Sequence, residues 1–523
     1  MQAVFSDYAK GCAGPQGYGM MREEEPQISP TADRPSGDMR IQKNGDEQKR
    51  KNGKRMKGGS MKDERIGTEY EKEADEKVYR IIIIGGGAAG LYAGALHRPG
   101  KEKGLILERM DEPGKKLLLT GAGQCNLTHA GSIRDFIPQY HEAGKKIRTV
   151  LYAHANDRTI RTFRSLGVPS FVRDDGKVFP DSLSARQVRD ALTERCRANG
   201  YRILCGTACT AIEPLNTSSA EYSFGTELRG GPVSSRTGRF LIRAGKRTFT
   251  AENVLIATGG ASVPSTGSDG GFFEILTGLG LFSGGLRPAL TPVYVQEYPF
   301  PQLSGITFES ARVTLYSRNG ATKTEKNSRT AALLLTHRTF SGPAVLDISR
   351  SAETGDIMKI SYLPGLSPET LADSLASEAS GSASENTGLV SEVLKRAGYT
   401  LPHRFLRTQI VRAGAKPSAN AAETGKKVWR KIADILTSDT YSVSGTGGFT
   451  DAMATRGGVS LSSVSMRTME SAKYPGLYFA GEVLDVDAAT GGYNLQFAFS
   501  SAACAVRAIF GTEEGNKEDT GEK

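Results

Sequence analysis

Apolar residues in this chain come mainly in short unbroken runs that stop at glycine, a pattern of buried strands rather than half-exposed ones. After Arg80 stand four isoleucines, Ile81–Ile84, a β-branched run long enough for one buried parallel strand. It stops at Gly85-Gly86-Gly87-Ala88-Ala89-Gly90. Helix-compatible residues continue to about Arg98, Pro99-Gly100 ends them, and a second apolar run, Gly104–Leu107, closes on Glu108. Two later segments repeat the pattern. Asn253–Ile256 runs into Ala257-Thr258-Gly259-Gly260, and Leu477–Ala480 turns at Gly481-Glu482 before a helix that begins near Gly492. Such alternation predicts an α/β architecture around a parallel sheet.

Between these strands the periodicity changes. Residues 147–200 read as largely helical, broken by a hairpin-type turn at Asp174-Asp175-Gly176-Lys177 that leads to Val178-Phe179-Pro180. Tyr201–Ile212 is a strand candidate, 214–238 a Ser/Thr/Gly-rich loop, and Arg239–Ile242 with Arg247–Phe249 a hairpin. Alternating strands fill 290–345, with a turn at Asn319-Gly320, and Ser341-Gly342-Pro343 starts a helix. A Ser/Ala/Glu-rich segment at 367–390 reads as exposed helix or loop, basic helices fill 391–437, and glycine-rich sequence returns at 445–460. The implied division is a leader at 1–77, a first nucleotide-binding part at 78–287, an inserted β-rich and helical domain at 288–444, a second nucleotide-binding part at 445–510, and a tail at 511–523.

Composition adjusts this picture at its edges. The first 77 residues are polar and charged with almost no apolar periodicity, so they read as disordered. Their KRKNGKRMK at 49–57 has the composition of a nucleic-acid patch, and Met56 and Met61 offer later starts. The net charge of +10 lies elsewhere, because this leader carries 15 basic and 15 acidic side chains. A mildly basic body suits an anionic cofactor or substrate; without a concentrated basic stripe, no specific nucleic-acid partner is expected. Six cysteines (12, 125, 196, 205, 209, 504) lack paired or metal-ligand spacing, which predicts reduced thiols and no metal. The apolar stretch Ile81–Leu96 spans 16 residues and holds five glycines, short of the roughly 20 that cross a membrane. A cytoplasmic protein with no membrane partner is expected; the oligomeric state stays open.

The chemistry begins at Gly85, Gly87 and Gly90, which fit G-x-G-x-x-G in its required setting, after a strand and opening a helix. Gly85 permits the tight turn, Gly87 lets a pyrophosphate approach the backbone, and Gly90 lets helix and strand pack closely. Glu108, eighteen residues past Gly90, is placed to accept from the ribose hydroxyls of an adenine dinucleotide. A Gly-rich turn without a ligand is the plainer reading, and strand, glycines and acid together favour nucleotide binding.

The longer motifs GKKLLLTGAGQCNLTH, ATGGASVPSTGSDG, LLLTHRTFSGPAVLDISR, TRGGVSL and GLYFAGEVLDVDAATGGYNLQFAFSS resemble the two-dinucleotide-binding-domain flavoproteins. Over roughly residues 78–510 they are similar to bacterial FAD-dependent oxidoreductases of the aminoacetone-oxidase or bile-acid-inducible reductase type. The resemblance implies a Rossmann-like FAD-binding domain with a parallel sheet, interrupted by an inserted β-rich and helical domain. It places Gly85, Gly86, Gly87, Ala88, Ala89 and Gly90 at the pyrophosphate, and Glu108 and Arg109 at the adenosine ribose. Lys116, Thr120, Gly121, Gly123, Cys125, Asn126 and Leu127 would belong to a re-entrant loop beside the flavin. Gly259 would border the cofactor, Gly481 and Glu482 the ribitol or phosphate, and Gly492, Asn494 and Leu495 the isoalloxazine, where backbone N–H groups at a helix start stabilise negative charge on reduced flavin. Three positions depart from the family pattern: Gln124 stands where Arg is usual, Ala488-Ala489-Thr490 replaces a more polar segment, and Gly104 occupies a β-branched position.

Cys125 has no second cysteine at redox spacing, so it reads as a packing residue. His337 is the one candidate acid or base in the insertion; a structural hydrogen bond is the plainer role. The expected function is an FAD-dependent oxidoreductase of a small organic substrate, drawing electrons from NAD(P)H without a second Rossmann fingerprint. The alternatives are an oxygen-using amine-type oxidase and a non-enzymatic FAD-stabilised binding protein with a basic surface.

Overall fold

Four isoleucines in a row can be buried only if both faces of their strand are covered, and β1 (Val78–Ile84) meets that demand: Ile81–Ile84 are at most 3% exposed. The computed structural model describes residues 78–98, 104–215, 240–318, 324–381, 390–421 and 424–511. The expected leader, the Pro99-Gly100 stop, most of the 214–238 loop, the Asn319-Gly320 turn and the tail from 512 lie outside these residues.

From the glycine turn the chain enters α1 (Ala88–Leu96) and returns in β2 (Gly104–Leu107), parallel to β1 with Ile81 opposite Gly104. Gly104, the departure from a β-branched position, makes room: a Cβ there would lie 2.4 Å from the Tyr201 ring on the neighbouring strand. β3 (Arg247–Ile256) pairs with the other edge of β1, and β4 (Leu477–Phe479) pairs parallel with the end of β3. The hairpin arm at 247–249 and the buried strand at 253–256, read as two strands from sequence, are one. Its first half pairs antiparallel with Phe240–Ala244 and its second half parallel with β4, so one strand serves two neighbours along one edge. Conversely, the Tyr201–Ile212 candidate is two strands. Tyr201–Leu204 extends the sheet beyond β2, Gly206 turns with φ +63°, and Ala211–Pro214 pairs with Phe240–Ala244 at the opposite edge.

α1 is buried on nearly every side, between the sheet, the helix Ala185–Ala198 and α2 (Tyr493–Phe510). Two of its free C-terminal carbonyls are satisfied by Asn199, whose Nδ2 donates to Gly94 O at 3.0 Å and Ala95 O at 2.9 Å. A small antiparallel sheet (Thr128–His129, Lys177–Pro180, Ser170–Val172) lies beside α2. The alternating segment 290–345 contributes four strands to a closed six-stranded barrel, completed by Ile357–Ser361 and Asp439–Thr446. Phe300, Phe340 and Leu315 belong to its core, together with Phe405, Trp429 and Leu436 from the helices that cover it. Among the described residues no helix is long and apolar enough to cross a membrane, and no three His, Cys, Asp or Glu side chains gather as a metal site.

One buried polar network joins the small sheet to α2. Thr128 Oγ1 donates to Gln496 Oε1 at 2.7 Å, while Gln496 Nε2 and Ser500 Oγ donate to His154 O at 3.1 and 2.7 Å. The His154 ring shares a 2.7 Å hydrogen bond with the Tyr92 hydroxyl. Burial, with Arg158 and Arg507 adding to it, pushes this imidazole down from 6.5 to about 4. As pH falls below 6.5 the unfolded chain takes a proton that the folded one refuses. The site's stability is therefore intact above 6.5 and declines until about pH 4, a loss of roughly 3 kcal/mol. Thermal melting should fall more steeply from pH 6.5 to 4 in the wild type than in His154→Gln; parallel curves would show that the ring is already charged in the fold.

Candidate functional site

A cavity opens where β1, β3 and β4 end, and its walls come from segments far apart in sequence. Ile84, Gly85 and Gly87–Ala89 line it from the first turn, Glu108 and Arg109 from the end of β2, and Ala257–Gly260 from the end of β3. Lys115–Leu117 and Thr120, Thr266–Phe272, Ala480–Glu482, and Asn494 with Leu495 complete most of the wall. This is the end of an open parallel sheet at which ligands bind.

The three motif glycines meet different demands. Gly85 has φ +103°, and a Cβ on it would lie 2.4 Å from Ala257 O. A Cβ on Gly90 would lie 1.9 Å from Gly85 O, so helix and turn touch there backbone to backbone. Around the corresponding point on Gly87 no atom lies within 4 Å: its bare face opens on the cavity. Gly87 is also the N-cap of α1, and no side chain caps the helix. The positive end of α1 therefore faces the cavity through its own N–H groups. Glu108 is 8% exposed, and its two oxygens accept from Gly86 N–H and Met110 N–H, each at 2.8 Å. Burial raises this carboxyl, and the two N–H bonds oppose the shift. Each oxygen keeps a lone pair for a further donor.

Two side-chain oxygens of cavity-wall residues, Thr258 Oγ1 and Ser268 Oγ, are buried without a hydrogen-bond partner among the described residues, and so is Asn126 Oδ1 in the neighbouring loop. Buried polar atoms are rarely left unpaired. A bare glycine, an uncapped helix start, an acid at the end of β2 and orphan hydroxyls fit an extended adenine dinucleotide carrying phosphates.

The family model described as the HI0933-like protein Rossmann domain matches residues 79–508. The chain belongs to this HI0933-like family of FAD-dependent Rossmann-fold oxidoreductases. It is similar to the ribosomal RNA dihydrouridine synthase of Escherichia coli K12, with 29% identity over 435 residues, 82% of this chain and 97% of that one. The protein of the same name from Haemophilus influenzae is 30% identical over 443 residues, covering 81% and 97%. The 3-dehydro-bile acid delta(4,6)-reductase of Clostridium scindens is 28% identical over 446 residues, covering 82% and 98%.

In this HI0933-like chain the structure brings many of the expected residues to one wall: Gly85, Gly87, Ala88, Ala89, Glu108, Arg109, Lys116, Thr120, Gly259, Gly481, Glu482, Asn494 and Leu495. Others stand behind it. Gly86 holds Glu108, and Gly90 seats the helix. Beyond Thr120 the Leu117–Gly123 turn leaves the wall. Gly121 is fitted against Asn126 and Phe179, Gly123 has φ +88°, and Leu127 is buried in the core. Cys125 is fully buried at φ +62°, and burial pushes its thiol up to about 12, so it is protonated at neutral pH. Gly492, at φ +94°, lets the chain pass Thr128, where a Cβ would lie 2.6 Å from the carbonyl oxygen. His337 is exposed in the tight turn closed by Thr336 and Thr339, away from the cavity wall.

Lys116 and Glu482 line the cavity as a pair. Lys116 Nζ donates to Glu482 Oε2 and Ser262 Oγ, each at 2.6 Å. Glu482 Oε1 accepts from Thr455 N–H at 2.5 Å and Ser262 Oγ at 3.1 Å. One carboxylate thus joins the β4 corner, the loop after β3, the strand Ala454–Arg456 and the segment after β2. At the rim, Arg109 Nη1 donates to Asp269 Oδ1 at 2.6 Å and holds that carboxyl below its ordinary range. Thr258, Ser262, Ser268, Asp269 and Thr455 were not singled out in the sequence. Thr258 precedes Gly259 in the same strand-end motif, so its place was readable. Thr455 owes its role to strand pairing that no local pattern announces.

Proposed function

We propose that this protein is an NAD(P)H-linked, FAD-dependent reductase of a ring carbon–carbon double bond conjugated to a carbonyl, of the reductase rather than the oxidase type. The observation that carries the cofactor is the bare Gly87 face at the uncapped start of α1, beside the orphan Thr258 and Ser268 hydroxyls. The substrate class is supported by the names of the relatives: a dihydrouridine synthase and a delta(4,6)-reductase of a 3-dehydro-bile acid both imply a conjugated ring double bond. Those names also keep an RNA uridine beside free small molecules as substrate. The overall change is balanced by one NAD(P)H and one proton, which leave as NAD(P)+ and two new C–H bonds. Bound FAD supplies hydride transfer in both directions.

In this reading Gly85–Gly90 and Lys116 serve the pyrophosphate, Glu108 the adenosine ribose, and Glu482 the ribitol side. Thr120 and the start of α2 at Gly492–Leu495 border the ring. The same proposal keeps residues 78–287 and 445–510 as the cofactor domain, 288–444 as the insertion that shapes the substrate side, and the cytoplasm as the compartment that supplies NAD(P)H. Anaerobic mixing of the yellow holoprotein with NADH or NADPH should bleach the flavin band, and a 4-en-3-one steroid or uridine should restore it. Cys125→Ser should bleach at a similar rate, because a buried neutral thiol carries no electrons. A flavin that neither nicotinamide bleaches defeats the reductase reading.

A further inference from the structure

On the way from β4 to α2 the chain passes through residues 485–490 with no helix or strand of its own. Val486 in this loop lines the cavity, and so do Asn494 and Leu495 just beyond it. Such a segment keeps one place only if its polar groups are taken from outside. The N–H of Ala488 donates to Asn494 Oδ1 at 3.0 Å, that of Ala489 to Gln139 O at 2.9 Å, and that of Thr490 to Asp347 Oδ1 at 2.7 Å. The Asp487 carboxylate accepts from Arg350, from Nε at 3.2 Å and from Nη2 at 3.3 Å.

Two of these holds come from one short piece of the barrel domain. Asp347 closes the helix Pro343–Leu346, and Arg350 lies in the turn Ser349–Ser351 that follows. Asp347, itself paired with Arg329 at 3.0 Å, takes the N–H next to Gly491, while Arg350 takes the carboxylate three residues earlier. The base of this clamp is fixed: Ser349 Oγ donates to Leu346 O at 2.8 Å and accepts from Thr291 N–H at 3.1 Å. Arg350 also donates from Nη1 and Nη2 to the two oxygens of Glu142, at 3.2 and 3.0 Å, and holds that carboxyl at about 2. The Arg350 side chain is 10% exposed and that of Asp487 8%, whereas that of Glu142 is 76% exposed. An open pair contributes little, but a guanidinium and a carboxylate both withdrawn from water are costly to separate. The inner pair, Arg350 with Asp487, is the hold that counts.

We infer that Arg350 is a positioning residue for the flavin ring: with Asp347 it fixes residues 487–490, and through them the start of α2, on the inserted domain. The inference rests on the cofactor reading, in which Gly492–Leu495 border the ring. α2 begins after two glycines with positive φ, Gly491 at +125° and Gly492 at +94°, and no side chain caps it. On the cofactor-domain side the Tyr140 hydroxyl donates to Tyr493 O at 2.8 Å. The helix start is therefore held from two sides, and Arg350 supplies the side that belongs to the insertion. N–H groups at a helix start stabilise negative charge on a reduced ring only while they stay aimed at it. Releasing the loop should weaken that stabilisation without touching Gly85–Gly90 or Glu108.

The test reads the flavin midpoint potential of the holoprotein, set with dithionite and a reference dye, and the hydrogen exchange of the Ala489 and Thr490 amides in flavin-stripped protein. In Arg350→Ala the equilibrium constant for flavin reduction should fall about 3- to 10-fold, a drop of about 15 to 30 mV for a two-electron couple. The two amides should exchange at least about 10-fold faster, while FAD content stays at the wild-type value. Arg350→Lys keeps the charge but not the paired bonds and should recover part of both changes. Glu142→Gln should match the wild type. Asp487→Asn keeps the shape of its side chain, should move both readings in the direction of Arg350→Ala, and carries the test if that variant does not fold. A lowered melting temperature with wild-type potential and exchange reduces Arg350 to a structural ion pair and overturns the inference, as does a Glu142→Gln effect as large as that of Arg350→Ala. Neither reading uses a nicotinamide, so a flavin that NADH and NADPH fail to bleach strikes the reductase reading alone. A wild type that binds no flavin strikes the cofactor reading and this inference with it.

Discussion

Gly87→Val should yield a folded protein without flavin, and Gly90→Val little folded protein at all. Both substitutions add the same isopropyl side chain to the same motif, three residues apart, yet the space around them differs. A Cβ on Gly87 meets nothing within 4 Å, and the backbone there, at φ −81° and ψ −165°, is ordinary extended conformation open to any residue. The valine therefore costs the fold little and fills the space that the pyrophosphate needs, so FAD affinity should drop by at least about 100-fold. On Gly90 the Cβ would sit 1.9 Å from Gly85 O, which is held by the turn and cannot swing aside. Relief requires α1 to move off the sheet, at about 4 kcal/mol or more. The ratio of flavin to protein absorbance and the melting temperature of the flavin-stripped proteins separate the two. A yellow Gly87→Val protein would disprove the phosphate cradle, and a stable Gly90→Val would show that the helix tolerates a gap at the sheet.

The same local logic explains what could be read from the sequence. β1, its glycine turn, α1 and Glu108 follow one another within thirty residues, so each element restricts the next and the pattern carries the geometry. β4 was legible for the same reason, as a short apolar run stopped by Gly481. Reading failed where the partner is remote. Arg247–Ile256 reads as two strands because its first half alternates between partly exposed and buried positions like a hairpin arm and its last four residues are uniformly buried; only the distant β4 shows that one strand serves both. Barrel closure likewise depends on pairing Val293–Val295 with Asp439–Thr446, nearly 150 residues apart, and nothing local encodes it.

The cavity divides similarly. Residues that touch a ligand through backbone, such as Gly87, announce themselves by lacking a side chain. Those that act through a shared carboxylate do not: Glu482 looked like a ribitol contact, and that Thr455 and Ser262 bind it emerges only when four segments converge. The loop Thr120–Leu127 shows a third case. Its glycines and its positive-φ Cys125 belong to one tight turn, and the turn places only Thr120 on the wall while Cys125 and Leu127 pack inward. Glycine marked the turn correctly and could not say which side of it faces the ligand.

Glu482→Ala tests whether that convergence holds the site together. The carboxylate accepts from Lys116, Ser262 and the Thr455 N–H, and its side chain is 21% exposed. Truncation leaves the Thr455 N–H without its acceptor and the partly buried Lys116 ammonium with Ser262 Oγ but no counter-charge, a loss of about 2–4 kcal/mol. The melting temperature should fall by several degrees and FAD should bind more weakly, since Lys115–Leu117 and Ala480–Glu482 line the same cavity and lose their common anchor. Lys116→Met is the informative partner variant. It removes the ammonium but leaves Glu482 bonded to Ser262 and Thr455, so its melting temperature should stay closer to the wild type even where FAD affinity drops. Glu482→Gln keeps the shape and one acceptor oxygen, and should fall between the two. Should Lys116→Met melt as low as Glu482→Ala, the cation rather than the carboxylate holds the corner. Should Glu482→Ala melt like the wild type and keep its flavin, the four segments are held by their strands alone, and the network is a consequence of the fold rather than one of its supports.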